Sequence, residues 1–307
     1  MPFSHHSHSG QFCAHAENTL EEVVQQVISK GFRVLALTEH IYRPEEDFYP
    51  EEQGVYTAAS LKERFSDYVV EACRLQHLYS SKIQIIIGFE AEWIRPSSED
   101  DIRDVLSQYA GTIQMFLGSV HHVLGCPIDF DREKYEQARE KAGGTDEQLF
   151  LHYFTEMNVM LRALNPPVVG HFDLIRLKSD SPNTQFEGME AVWERIRDNL
   201  EYIASYGGIL ELNSAALRKG LAEPYPCMAV CQHFLSLGGR FTISDDSHGI
   251  AQVGTHYNRL LEFIQRVGIK EIWYADPTKE RQYDTRFCGF SSIAVRDLER
   301  DPIWSAP

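Results

Sequence analysis

The apolar positions of this chain fall into two alternating periods. Across residues 17–30, Leu20, Val23, Val24, Val27 and Ile28 recur at helical spacing; Thr19 and Glu22 form a capping box before them and Gly31 closes the segment. Residues 33–38 then make a short, continuous apolar run of the kind that forms a buried strand, with Glu39-His40 at its end. The two units repeat. The spacing predicts helices over 58–80, 100–109, 145–164, 188–206, 225–237 and 256–267, and strands over 83–89, 113–120, 168–170, 208–212, 240–244 and 270–274. Such alternation implies parallel strands joined by crossover helices, an α/β fold. No linker or composition break divides the chain, so one domain over 1–307 is expected. Its tail, 276–307, carries Tyr283, Phe287, Phe290 and Trp304 and is expected to pack back on the rest. The loop 45–54 and the insert 129–144 are less predictable.

Polar residues gather where the strands end. His40, Glu90, His121, His171, Asp246 and His248 each stand at or just past the carboxyl end of an expected strand, where a closed α/β barrel collects its reactive groups. At the start of the chain His6 and His8 are two apart, so in an extended segment both imidazoles leave one face and can grip one cation; His15 follows in a loop. Three histidines interrupted by Ser and by Phe-Cys-Ala make a poor affinity tag. Taken singly, a histidine beside a strand is more often a hydrogen-bonded structural residue than a ligand. His77, His152, His233 and His256 fit helix positions and take that reading, while His5 and His122, next to ligand candidates, should face away by strand alternation. The remaining seven share one kind of place. Glu90 and Asp246 add hard oxygen donors, and a carboxylate such as Glu90 can bridge two cations. Five or more imidazoles with a bridging acid exceed what one tetrahedral zinc takes, which implies a cluster. Imidazole and carboxylate suit zinc, iron and manganese alike.

Charge and cysteine usage narrow the partners. The formal balance, 29 − 45 = −16, comes without any basic stripe, which argues against a nucleic-acid partner. Six scattered cysteines without a CxxC pair point to a reduced compartment; Cys227 and Cys231, four apart on an expected helix, read as packing. No basic leader precedes an apolar segment, and no apolar run reaches the roughly 18 residues that cross a bilayer, so a cytoplasmic protein with no membrane partner is expected. The pattern gives no oligomeric state.

The motifs His6-Ser7-His8, Thr38-Glu39-His40, Gly88-Phe89-Glu90, Ser119-Val120-His121, Gly170-His171-Phe172-Asp173 and Asp246-Ser247-His248 resemble, in order and spacing, those of the PHP (polymerase and histidinol phosphatase) superfamily. The longer strings from His6 to His15, from Phe48 to Glu52, from Pro127 to Asp131 and from Gly170 to Arg176 are similar to its histidinol-phosphate phosphatase branch. The resemblance implies a distorted (β/α)7 barrel holding three divalent metal ions. The first would take His6, His8, Glu90 and Asp246, the second Glu90, His121 and His171, the third His15, His40 and His248. It also implies hydrolysis of L-histidinol phosphate by a metal-activated hydroxide. The middle of the tripeptide usually written Thr-Asp-His is Glu39 here, which leaves the ligand set intact.

A phosphate needs a cationic clamp away from the metals. Arg176 and Arg218 each lie five residues past a strand end, and guanidinium matches phosphate in a two-pronged way; Lys219 is expected to be solvated. Glu39 and Asn213, also at strand ends, join the substrate side. Asp246, His248 or a metal-bound water would assist the leaving alkoxide, a choice the sequence leaves open. The acidic, aromatic loop around Phe48 and Tyr49 would meet the ammonium and imidazole of the substrate. An alternative is a phosphoesterase of the same superfamily acting on another small phosphate monoester. An amidohydrolase on a related barrel would want a bridging lysine at a strand end, and none stands there.

Overall fold

In the computed structural model, which describes residues 2–183 and 185–304, the start and stop signals act as written. Thr19 caps the first helix by accepting the Glu22 N–H at 3.2 Å, and Glu22 accepts the Thr19 N–H at 2.7 Å. Gly31 follows with φ +80°, a conformation that costs glycine little.

The strands in chain order are β1 (Phe3–Ser4), β2 (Val34–Leu37), β3 (Gln84–Ile87), β4 (Glu90–Glu92), β5 (Leu117–Ser119), β6 (His122–Val123), β7 (Cys126–Pro127), β8 (Val168–Val169), β9 (Ile209–Asn213), β10 (Arg240–Ser244), β11 (Glu271–Glu280) and β12 (Cys288–Ala294). The helices are α1 (Leu20–Ser29), α2 (Ala58–Leu78), α3 (Ser98–Gln108), α4 (Arg132–Lys141), α5 (Asp146–Leu164), α6 (Glu190–Ser205), α7 (Ala215–Arg218), α8 (Met228–Ser236), α9 (Tyr257–Val267) and α10 (Val295–Leu298).

The architecture is α/β. Two wholly parallel sheets carry it, one ordered β1-β2-β3 and one β10-β9-β8-β5-β4. The strand expected over 83–89 is broken at Gly88-Phe89, so β3 belongs to the first sheet and β4 to the second. Gly88 stands at the break, where a Cβ would come within 2.8 Å of the Met115 carbonyl oxygen. The Tyr68 hydroxyl of α2 lies 2.7 Å from the carbonyl oxygens of Leu37 and Gly88 and covers this crossing. The chain itself passes from the first sheet to the second between β3 and β4, with Gly88 and Glu90 bonded to the β2 side and Ile87 and Phe89 to the β5 side. A single bridge joins His40 to Glu90 at one seam and another joins Ser7 to Ser247 at the other, where the His5 N–H also donates to the Ile243 carbonyl at 3.2 Å.

Apolar side chains from both sheets and the surrounding helices form one continuous core. Phe89 stacks on Phe116 at 5.4 Å between ring centres, and Phe116 meets Phe287 at 5.3 Å. Truncating a buried ring such as Phe116 to Ala costs about 3–5 kcal/mol. The expected terminal strand over 270–274 runs further, as β11, and pairs antiparallel with β12 instead of extending a parallel sheet. The Ala275 N–H donates to His5 Nε2 at 2.8 Å, and Trp304 stacks on Tyr257 at 4.9 Å. Residues 305–307 of the tail lie outside the described residues. In the insert, α4 was hidden because only Tyr135 and Ala138 of it are buried; Asp131 caps it by accepting the Lys134 N–H. Among the described residues no helix is long and apolar enough to cross a membrane.

Candidate metal centre

Strand alternation sends His5 to one side, where its Nδ1 lies 2.8 Å from the Thr242 hydroxyl, and sends His6 and His8 to the other. There they meet Glu90. Its Oε2 lies 3.1 Å from His6 Nε2, 3.4 Å from His8 Nε2 and 3.0 Å from His40 Nδ1. Its Oε1 faces the other way, 2.9 Å from His171 Nε2 and 3.4 Å from His121 Nε2. Asp246 Oδ1 closes the first group at 3.7 Å from His6 Nε2 and 3.6 Å from His8 Nε2. The structure thus brings His6, His8, Glu90 and Asp246 together, and Glu90 with His121 and His171, in the two sets named from sequence.

The third set is different. His40 and His248 come together with His8, but the fourth donor within 4.8 Å is Cys13 and not His15. The His15 side chain is 37% exposed, its Nδ1 lies 3.2 Å from Glu51 Oε1, and its ring centre stands 5.1 Å from that of His248. Cys13 was overlooked because it lies in an irregular turn. Glu92, whose Oε1 is 2.8 Å from His40 Nδ1, was also overlooked, although it is two residues from Glu90 on the same strand face.

The donor set fits divalent cations. Imidazoles this deep ordinarily have hydrogen-bond partners, yet His6 Nε2, His40 Nε2 and both ring nitrogens of His8 make none. These lone pairs and the carboxylate oxygens converge on common spaces within 4.8 Å. The electrostatics are those of a site that needs positive charge. Burial pushes Glu90 up, but His6, His121 and His40 outweigh it and hold the carboxyl well below its usual range. Burial likewise opposes, and Arg43 and His121 override, for Glu92; His6 and His248 do the same for Asp246. Burial lowers His121, but Glu92 and Glu90 raise it to about 10. Burial alone would raise the Cys13 thiol; the neighbouring His15 and His40 rings bring it to about 6.

Around these ligands lies a layer that orients them. Glu211 accepts the His171 N–H at 2.6 Å and the Ser244 hydroxyl at 2.5 Å, and its Oε1 lies 2.8 Å from His6 Nδ1. Such a carboxylate fixes both the ring orientation and which nitrogen is free to bind. Arg43, buried, grips both oxygens of Glu52 at 2.6 and 2.7 Å, reaches Glu92 at 3.3 Å and lies 4.8 Å over the Tyr49 ring.

A cavity of about 520 Å³ opens on the cluster. Its wall holds His15, His40, Glu90, His121, His171, Asp246 and His248, and beyond them Tyr49, Glu51, Asp129, Phe130, Arg218 and Lys219. Arg218 is anchored by the carbonyls of Asp245 at 2.8 Å and Asp246 at 3.0 Å. Lys219 is exposed to solvent, as expected, at the edge of the same wall. Three sequence expectations do not hold in place. Arg176 is buried, its Nε 2.9 Å from Asp173 Oδ2 and its other nitrogens on the carbonyls of Pro182, Glu223 and Pro224, so it is absent from the cavity wall. The cause is local: the turn Leu174–Lys178 follows His171 directly and carries the guanidinium away, where Asp173 captures it. Asn213 is buried, donating to Glu211 at 3.2 Å and Asp246 at 3.3 Å, and supports ligands instead of facing the cavity. Glu39 accepts the Ser9 N–H at 2.8 Å and hydroxyl at 2.6 Å, fixing the segment after His8, and is likewise off the wall.

Known proteins similar to this chain share its family and fold. The family model described as PHP domain matches residues 4–215. A Schizosaccharomyces pombe protein named "Probable histidinol-phosphatase" is 42% identical over 99% of this chain and 96% of its own length. A Saccharomyces cerevisiae protein named histidinol-phosphatase is 33% identical over 98% and 99%. The solved structure of a histidinol phosphate phosphatase from Lactococcus lactis, complexed with zinc, L-histidinol and phosphate, shares the fold at a TM-score of 0.69; it is 21% identical and the match covers 88% of this chain and 95% of that one.

Proposed function

The chain belongs to the PHP domain family, and from that membership we propose that it hydrolyses L-histidinol phosphate to L-histidinol and phosphate at a centre of three divalent cations. The observation that carries the reading is Glu90, whose two oxygens face two different groups of imidazoles across one buried space. The near full-length likeness to two yeast proteins bearing the histidinol-phosphatase name supports the substrate.

His6, His8, Glu90 and Asp246 would hold one cation, Glu90, His121 and His171 a second, and His40 and His248 a third, with His15 at its open side. When bound, such cations neutralise phosphate charge and make a nearby water acidic enough to serve as a nucleophile near neutral pH. Zinc, iron and manganese all suit nitrogen and oxygen donors of this kind. The chain's own groups do the rest. Arg218, with its guanidinium fixed by two backbone carbonyls, and Lys219 supply the cationic wall for the phosphate. Asp246 and His248 both line the cavity; Asp246, buried but held ionised by His6 and His248, has no proton to give, which leaves His248 as the side chain that would serve the departing alkoxide. Across the cavity Tyr49 and Phe130 lie 6.1 Å apart at 30°, offering ring faces for an imidazole, with Glu51 and Asp129 beside them for an ammonium.

The two parallel sheets read as one distorted barrel of seven strands, with β3 and β4 counted as a single strand that changes sheets, in one domain over 1–307 that includes the tail. A net charge of −16 and six free thiols fit a cytoplasmic enzyme acting on a small molecule rather than on nucleic acid. The test is phosphate release from L-histidinol phosphate and from a panel of other monoesters, with and without chelator. Chelator-sensitive release is expected, greatest for histidinol phosphate. Absence of such release from every ester would overturn the reading.

A further inference from the structure

Arg43 joins two parts of the site that the chain carries on separate segments. From its buried position, Nη1 donates to both oxygens of Glu52 at 2.6 and 2.7 Å, and Nη2 donates to Glu92 Oε1 at 3.3 Å. Its guanidinium carbon lies 4.8 Å over the Tyr49 ring. Glu52 in turn holds Tyr49 by the backbone: its Oε2 accepts the Tyr49 N–H at 2.9 Å, and its N–H donates to the Tyr49 carbonyl at 2.9 Å. Tyr49 is thus fixed through its main chain and through one ring face, and it lines the cavity. At the other end, Glu92 shares β4 with Glu90; its Oε1 lies 2.8 Å from His40 Nδ1 and its Oε2 3.4 Å from His121 Nδ1. One side chain therefore ties the aromatic wall to the strand that bears the central carboxylate. Stability alone does not account for it, because apolar packing of similar volume is often as stable as buried ion pairs. Nor does anchorage, since Arg95 also ties the loop 45–54, by Glu46 at 2.5 Å and by Asp47. What a planar fork of fixed donors adds is a set spacing between Tyr49 and Glu92.

We infer that Arg43 is a positioning residue for substrate choice, which sets the span between the metal centre and the Tyr49 ring. The inference rests on the substrate reading proposed above. An ester that carries its ring at the right distance from its phosphate fills both ends of that span at once. An ester without a ring fills only one, so the position of Tyr49 matters to the first and not to the second.

The experiment measures KM for L-histidinol phosphate and for glycerol phosphate, which has neither ring nor ammonium, on the metal-loaded full chain. The variants are Arg43→Lys, Glu52→Gln, Tyr49→Ala and the two pairs that include Tyr49→Ala. Lysine keeps the charge but offers a point with rotatable donors and no planar face. Arg43→Lys and Glu52→Gln should each raise the ratio of the histidinol phosphate KM to the glycerol phosphate KM by about 10-fold, the size of one lost charge-assisted contact. With Tyr49→Ala already present, either should shift the ratio by less than about 2-fold, because the ring they position is gone. A role in stability alone would lower the melting temperature and leave the ratio where it is. Should Arg43→Lys not fold, Glu52→Gln, which keeps Arg43 paired with Glu92, carries the same comparison. A ratio unmoved by the single variants, or shifts that multiply with that of Tyr49→Ala, would overturn the role of Arg43 while leaving the phosphatase reading standing. Wild type without chelator-sensitive release from either ester would overturn both.

Discussion

His6 Nδ1 and Glu211 Oε1 lie 2.8 Å apart, both side chains wholly buried, so the carboxylate holds the proton on Nδ1 and turns Nε2 toward Glu90 and Asp246. The other oxygen of Glu211 accepts the backbone N–H of His171. One residue therefore positions candidate ligands of two of the proposed cations. Glu211→Gln puts an amide NH2 where one of these donors must be accepted. Metal affinity should fall about 10- to 100-fold, as for other residues that orient metal ligands. Competition with a chromogenic chelator measures it, and an unchanged affinity would count against this role.

The two arginines once equivalent in sequence part company. Arg218→Ala should raise KM for the phosphate ester by about 10- to 100-fold, the value of a charge-assisted hydrogen bond, while metal content is kept. Arg176→Ala leaves Asp173 buried and unpaired, which costs about 3–5 kcal/mol and lowers the melting temperature, with KM for the folded fraction unchanged. Steady-state kinetics alongside thermal unfolding separates the outcomes.

The metal-stripped protein should be most stable in a window of pH bounded on both sides. His121 stands at about 10, above its ordinary 6.5, so its contribution is complete below 6.5 and is lost as pH rises toward 10. Glu90 and Glu92 stand well below their ordinary 4.5, so theirs is complete above 4.5 and is lost as pH falls through the depressed values. Bound metal displaces the imidazole protons. The alkaline decline in melting temperature should therefore be present in chelated protein and absent from the loaded one.

Discrimination among substrates should reside opposite the arginine. Asp129 lines the cavity with Oδ1 buried and unpartnered. Asp129→Asn should raise KM for histidinol phosphate by about 10-fold or more and leave that of an ester without an ammonium nearly unchanged, the loss being one charge-assisted contact. Equal effects on both esters would place Asp129 in the support of the fold.

The strand-end rule made most of this centre legible, because period-two alternation puts His6 with His8 and the ends of parallel strands on one rim. The same period reaches Glu92 from Glu90, one step further along its strand, and Glu211 from Asn213, one step back. Cys13 and Arg176 lie in irregular turns, where side-chain direction follows local hydrogen bonds that no periodicity encodes. The close approach at Gly88 was hidden for a related reason: the Met115 carbonyl that it meets is remote in sequence.

The backbone bridges between the sheets fall at His40 with Glu90 and at Ser7 with Ser247, and these last two sit between His6 and His8 and between Asp246 and His248. Candidate ligands thus stand at both joints between the two sheets. Cations held there would be rivets as well as reagents, and a chain stripped of them should open along these joints first.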